Sequence, residues 1–293
     1  MRILKLPLEM RCLSERWRNQ GLEVGFVPTM GALHEGHLSL VRESLRRCER
    51  TVVSVFVNPI QFGPAEDFGR YPRPLKNDIR LLRRLGVDAL YHPSGRAVFP
   101  GGFATLVDVT GPVTSGMCAP RRPGHFRGVA TIVAKLFNTV KPHAAFFGEK
   151  DAQQVAVIRR MVKDLDFGVE VVALPIVREP DGLAMSSRNK YLSPLERAVA
   201  PAIHRALRAG ERAIASGERK PGAVLRSMLR AFATRPPLRV EYVEFVDAET
   251  FERLKILKGN VLVALAVRLG RTRLIDNLMV RVPVRGGGGK EKE

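Results

Sequence analysis

What the chain has little of narrows its class first. Its three cysteines, Cys12, Cys48 and Cys118, are odd in number, widely spaced and outside any CxxC or Cys/His metal spacing. That excludes a disulfide framework and a structural zinc site, and the three read as inert, partly buried thiols. Aromatic residues make up only 6%, with a single tryptophan, so there is little material for the base-stacking platforms of single-strand binders. No apolar run approaches the roughly 20 residues that span a bilayer. The start, MRILKLPLEMRCLSERW, lacks the basic head, unbroken apolar stretch and small-residue cleavage site of a signal peptide. The expected location is therefore the cytoplasm, with no membrane partner.

Negative charge is also scarce: 29 Asp+Glu stand against 48 Lys+Arg, a formal net charge of +19. Such an excess suits a nucleic-acid binder or an enzyme of anionic substrates. The arginines, however, run from Arg2 to Arg285 with no sustained basic stretch. That dispersion favours a solvated arginine-rich surface, so no nucleic-acid partner is expected. With 293 residues, 45% of them apolar, the chain can bury the core of one large domain or two ordinary ones.

Over the first 180 residues apolar segments alternate between strand-like and helix-like periods, the pattern of a parallel sheet with crossover helices. Strands are expected at 22–27, 51–57, 89–92, 144–147 and 169–174. Between them Leu38, Val41, Leu45 and Cys48 share one helical face, as do Val129, Ile132, Val133, Leu136 and Val140, and then Val155, Ile158, Val162 and Leu165. After Tyr191, Ser193 and Pro194 form an N-cap and first helical position, opening one helix over 195–216. A second helix over 221–234 precedes strands at 239–246 and 261–267. The expected fold class is α/β: a Rossmann-like parallel sheet over 1–186, a smaller α+β C-terminal domain over 187–283 and a flexible tail over 284–293.

The chemistry concentrates in the loops. Pro28-Thr29-Met30-Gly31-Ala32-Leu33-His34-Glu35-Gly36-His37 lies directly between a strand and a helix. A helix N-terminus presents free N–H groups and the positive end of its dipole, where phosphates settle. The two imidazoles bind phosphate there, or cap the helix, or ligate a metal; two glycines in a strand–loop–helix context favour phosphate. After the next strand, Asn58 and Gln61 place neutral amides at a strand's carboxyl end, suited to a hydroxy acid because an amide both donates and accepts. The Gly- and Pro-rich stretch over 62–75 reads either as a lid or as an ordinary surface loop. Phe146-Phe147-Gly148-Glu149-Lys150-Asp151-Ala152-Gln153-Gln154 repeats the strand-end pattern. Lys150 is placed to neutralise phosphoryl charge, Asp151 to hold ribose hydroxyls or cap the helix, and Gln153 or Gln154 to face a polar substrate. Met185-Ser186-Ser187-Arg188-Asn189 adds two hydroxyls and a guanidinium, the donors a triphosphate needs. No serine or cysteine sits in a convincing triad, which disfavours acyl-enzyme chemistry.

In this order, PTMGALHEGH, FVNPIQFG, YPR, RPGHFRGV, FFGEKDAQQ and GLAMSSRN resemble the pantothenate synthetase family over roughly residues 3 to 282. That family is similar to the HxGH nucleotidyltransferases, whose Rossmann-type core is shared with class I aminoacyl-tRNA synthetases, and MSSR resembles their second ATP signature. The resemblance implies an enzyme that activates pantoate with ATP as pantoyl adenylate, then couples it to β-alanine. It further implies ATP along Met30, Gly31, Ala32, Leu33, His34, Glu35, Gly36 and His37, held also by Gly148, Glu149, Lys150, Asp151, Val177, Met185, Ser186, Ser187 and Arg188. Pantoate is implied at Gln61 and Gln154, with Gln61 also close to β-alanine. His37 matches a proton donor, with His34 on the phosphates beside it, while Arg122 and Tyr71 match positions near the substrates. Asp78 falls where the family keeps an acidic residue linked to Mg²⁺, although Lys76 and Asn77 replace acidic neighbours found in some members. Ala152 replaces an aromatic, with an effect expected on packing only. The resemblance also implies a homodimer. The rival readings are a nucleotidyltransferase that leaves its nucleotide on the product, and an RNA-binding protein built on the same core.

Overall fold

The computed structural model describes residues 1–64, 66–232 and 238–283. The chain divides into two compact units, one from Met1 to Lys190 and one from Tyr191 onward. In the first, six strands form one sheet: β1 (Arg2–Leu4), β2 (Val24–Thr29), β3 (Arg50–Val55), β4 (Ala89–Tyr91), β5 (Ala144–Gly148) and β6 (Glu170–Leu174). Their order is β1-β4-β3-β2-β5-β6 and every pairing is parallel. β2 to β5 are buried almost throughout, as strands covered on both faces must be, and so they read in the sequence as near-continuous apolar runs. β1 has no such run: it is three residues long, on the sheet edge, and largely exposed.

The helices of this unit are α1 (Pro7–Asn19), α2 (Glu35–Arg47), α3 (Leu75–Leu85), α4 (Gly95–Val98), α5 (His125–Val140) and α6 (Ala152–Asp164). α5 buries the expected face and more, including His125, Phe126 and Phe137. On α2, Leu38 and Val41 are buried, Leu45 packs half-buried against the same core and Cys48 is buried just past the helix end; Ser44 is buried as well, its hydroxyl bonded to that of Thr51 at 2.9 Å. On α6, Val155 and Ile158 are buried as expected and Met161 continues the stripe. Leu165 is 51% exposed because it lies past the last turn. Cys48 and Cys118 are buried, and burial pushes the Cys48 thiol up to about 11, whereas Cys12 is exposed, contrary to the expectation for it.

The strand order sets the site. From β2 the chain runs to β3 and β4 on one side, and β5 and β6 lie on the other. The carboxyl ends of β2 and β5 thus flank the point where the winding reverses, which is where open α/β sheets leave a crevice.

The second unit holds α7 (Pro194–Val199), α8 (Ala202–Ala215), α9 (Pro221–Leu229) and an antiparallel sheet ordered β7 (Arg239–Asp247), β8 (Gly259–Leu269), β9 (Thr272–Val282). Ser193 caps α7 as expected: its hydroxyl accepts from the Glu196 amide at 3.3 Å, and the Glu196 carboxylate accepts from the Ser193 amide at 2.8 Å. The single helix expected over 195–216 is two, because Pro201 has no N–H to donate to the preceding turn. The helix from Pro221 ends at Leu229 in a short 3₁₀ turn, Arg230–Phe232; its expected end at Thr234 and the expected flexible tail lie outside the described residues. β9 was not expected: its buried positions include Asp276 and Asn277, which break the apolar alternation that marks a strand. Among the described residues no helix is long and apolar enough to cross a membrane.

Candidate active site

A pocket of about 220 Å³ opens at the ends of β2 and β5. It is shaped first by backbone. At the end of β2 the Thr29 hydroxyl donates to the Ser54 carbonyl (2.7 Å) and accepts from the Gly31 amide (3.1 Å), turning the chain sharply out of the sheet. Gly31 then has φ +81°, and a Cβ there would come within 2.9 Å of Val55 Cγ1, so conformation and space both require glycine. Ala32 is also left-handed, at φ +52°, a strained conformation for a residue with a Cβ. Asp78 of α3, buried at 1% exposure, holds it there: Oδ2 accepts from the Ala32 amide at 3.0 Å and Oδ1 from the Leu33 amide at 2.9 Å. Burial pushes this carboxyl above the ordinary range, against the pull of the two amides.

This turn delivers His34 as the N-cap of α2 and His37 as its third residue. The His34 amide donates to His37 Nδ1 over a long 3.4 Å, which leaves the proton of His37 on Nε2. The two rings lie 4.1 Å apart, and His34 Nδ1 is buried without a partner among the described residues. Burial, then the Lys150 charge, lowers His34 to about 4; burial, His34 and Lys150 hold His37 well below the usual imidazole value. Both imidazoles therefore favour the neutral form near pH 7, in which each ring carries one N–H donor and one acceptor nitrogen.

The amide pair follows β3. Asn58, 1% exposed, donates from Nδ2 to Gln61 Oε1 (2.9 Å) and to the Gly128 carbonyl (3.0 Å), while Gln61 Nε2 reaches Met30 Sδ at 3.3 Å. Asn58 Oδ1 is buried without a partner among the described residues, an acceptor suited to a ligand hydroxyl. α5 clamps this turn. A Cβ on Gly128 would collide with the Ile60 carbonyl oxygen and lie 2.7 Å from the Gln61 nitrogen. His125 Nδ1 donates to the Gln61 carbonyl at 2.9 Å, and its Nε2 accepts from Arg122 Nη1 at 2.8 Å. A guanidinium only donates, so this tautomer is required. Burial and Arg122 lower His125 to about 4.

Consecutive acidic residues fasten the segment after this turn. Glu66 grips Arg122 Nε and Nη2, both at 2.6 Å, and Asp67 grips Arg188 Nε and Nη2 at 2.9 and 2.8 Å. The Arg188 guanidinium lies 5.7 Å from the centre of the Tyr71 ring, whose hydroxyl is 3.2 Å from Ser187 Oγ. Burial alone would raise both carboxyls, but the arginine hydrogen bonds and charges outweigh it and hold them below the ordinary range. Ala65 lies outside the described residues.

The structure brings most of the expected residues to one pocket: Met30, His34, Gly36, His37, Gly148, Lys150, Asp151, Val177, Met185, Ser186, Ser187 and Arg188 line it, together with Asn58, Gln61, Tyr71, Arg122 and Gln154. Others lie elsewhere. Glu35 and Glu149 are exposed, Glu35 paired with Arg42. Ala32 and Leu33 are buried with their amides given to Asp78, and Gly31 and Asp78 line a neighbouring cavity behind the turn. Of the two glutamines, Gln154 faces the pocket. Gln153 instead accepts from the Cys118 amide and donates to the Val113 and Gly116 carbonyls. Sequence reasoning missed His125 and Gly128, although both stand in the RPGHFRGV segment that pointed to Arg122.

A parallel sheet with a crevice at its switch point, entered by an HxGH helix start and faced by an MSSR turn, defines a Rossmann-type enzyme of the HxGH nucleotide-activating class. Whole-chain similarity narrows the class. The pantoate-beta-alanine ligase family model matches residues 2–279, and the chain belongs to that family. It is 51% identical over 282 residues to the pantothenate synthetase of Acetivibrio thermocellus, covering 96% of this chain and 100% of that one. The crystal structure of pantothenate synthetase from Thermus thermophilus aligns at a TM-score of 0.90 with 48% identity, over 96% of this chain and 100% of that one. The pantoate-beta-alanine ligase of Francisella tularensis, crystallised as a complex with beta-gamma ATP and beta-alanine, aligns at 0.80 with 32% identity, over 95% and 97%.

Proposed function

We propose that this chain condenses pantoate with β-alanine at the expense of ATP, giving pantothenate, AMP and pyrophosphate through enzyme-bound pantoyl adenylate. The observation that carries this reading is the convergence, on one pocket of a pantoate-beta-alanine ligase family member, of the HxGH helix start, Lys150 and Arg188 with the neutral amides of Asn58, Gln61 and Gln154. Met1–Lys190 would then hold ATP and pantoate.

ATP lies with its phosphates at the α2 N-terminus, within reach of Lys150, Ser186, Ser187 and Arg188. Pantoate presents its hydroxyls to the amides. Its carboxylate oxygen attacks the α-phosphorus, and the bond to pyrophosphate breaks with its electron pair leaving on pyrophosphate. Lys150, Arg188 and the N–H of His37 offset the charge that appears there, so most of the rate comes from positioning and electrostatics. The free amine of β-alanine, near Gln61 and Arg122, then attacks the carbonyl carbon. The C–N bond forms, the C–O bond to AMP breaks with its electron pair leaving on the AMP phosphate, and the amine's proton passes to solvent. Tyr71, held by Arg188 and Ser187, helps keep water from the mixed anhydride.

Mg²⁺ is implied by the family resemblance, with Asp78 as its acidic partner. Asp78 does not fit that role: both carboxylate oxygens accept backbone amides behind the turn, and the side chain is almost fully buried. Among the described residues no group of three or more His, Cys, Asp or Glu is placed to hold a metal. A magnesium ion held mainly by nucleotide phosphates and water needs no such cage.

AMP release from ATP, measured with pantoate and β-alanine supplied singly and together, tests the reading. Release should require both, and pyrophosphate exchange into ATP should require pantoate alone. A nucleotide left on the product, or submicromolar salt-sensitive RNA binding without AMP release, would replace this reading with a rival. Homodimerisation and a cytoplasmic location are proposed on the family resemblance alone. Sedimentation equilibrium giving a monomer, or export of the full chain in cells, would reverse them.

A further inference from the structure

We infer that Asp78 is a positioning residue of the nucleotide site: its two carboxylate oxygens hold the Gly31–Leu33 turn, left-handed at Gly31 and Ala32, in the form that aims His34 and the α2 N-terminus into the pocket. This rests on the reading of that turn as the ATP site. Three observations converge. Each oxygen accepts one backbone amide at hydrogen-bond distance, from consecutive residues, so the carboxylate fixes the orientation of the turn and not only its position. The turn needs an external hold, since Ala32 is left-handed at φ +52° without the exemption glycine enjoys at Gly31. And Asp78 lines the cavity behind the turn, with Gly31, Val55 and His92, rather than the pocket in front of it. Each oxygen keeps a second lone pair, but the side chain is only 1% exposed and lines that neighbouring cavity, so it does not face the pocket in which a metal on the nucleotide would sit. Asp78 therefore acts on ATP through His34, and its effect does not depend on a divalent ion.

The test is ATP binding without metal. Asp78→Asn replaces one acceptor by an N–H that opposes the amide it faced. It should weaken ATP binding about tenfold in excess EDTA, by calorimetry, since a hydrogen bond to a charged group is lost. The magnesium concentration giving half-maximal rate at saturating ATP should stay within about twofold of wild type. Adding Ala32→Gly to D78N should recover part of the affinity, because glycine takes the left-handed conformation unaided. The inference is overturned if D78N binds ATP like wild type in EDTA, or if its only defect is a raised magnesium requirement. Should D78N not fold, hydrogen exchange of the wild type decides: the Ala32 and Leu33 amides should be protected in EDTA, and exchange at the rate of free loop amides would refute the hold. A wild type that binds no ATP would instead sink the functional reading.

Discussion

His34, His37 and His125 are all held below the ordinary imidazole range, in each case first by burial. In the unfolded chain they titrate near 6.5. As pH falls from about 6.5 toward about 4, the unfolded chain therefore binds protons that the folded chain refuses. The stability these residues confer is present above that window and lost through it. The midpoint of urea unfolding should fall between pH 7 and pH 5, and an unchanged midpoint would show that the three rings are charged in the folded state. Lys150→Ala should lower pantoate-dependent pyrophosphate exchange by about a hundredfold or more with thermal stability retained, if its charge in the pocket serves the departing pyrophosphate as proposed. The two glutamines of α6 should separate binding from folding. Gln154→Ala should raise the Michaelis constant for pantoate, whereas Gln153→Ala should lower the melting temperature, since Gln153 ties down 113–118.

Between elements, the decisive contact is α5 against the Pro59–Gln61 turn. Gly128 lets the helix touch the turn's backbone, its carbonyl receives the Asn58 amide, and His125 one turn earlier binds the Gln61 carbonyl. Gly128→Ala should push the turn away, destabilising the fold by about 1–3 kcal/mol as overpacking does, and weakening pantoate more than ATP. Thermal melts and separate Michaelis constants for the two substrates would check this. Equal loss for both would mean that the turn does not serve pantoate. The same element scale explains how 66–71 is tied down: adjacent carboxylates each take a bidentate grip on an arginine from a different segment.

Across the whole chain, a net charge of +19 faces two anionic substrates. Long-range attraction raises the encounter rate and is screened within about 8–10 Å at physiological salt. The specificity constant for ATP should therefore fall severalfold as ionic strength rises from about 0.01 to about 0.15 M, with little change in turnover at saturation. A flat salt profile would mean that the surface charge plays no part in capture.

The chain by itself determined the parallel sheet, through strands β2 to β5 whose two-sided burial demands near-continuous apolar runs, and the loops that line the pocket, whose glycines, histidines and hydroxyls lie close together in sequence. It was silent on β1, too short and exposed to carry a pattern, and on β9, whose buried Asp276 and Asn277 disguise it. Pairings between distant residues were decided only by the tertiary structure. Asp78 meets Leu33 across 45 positions, Glu66 meets Arg122 across 56 and Asp67 meets Arg188 across 121. Periodicity and motif spacing report local geometry, whereas these contacts depend on how strands and helices stack. That is why Asp78, which the family resemblance offered as a metal ligand, stands against the Gly31–Leu33 turn with each oxygen accepting one of its amides.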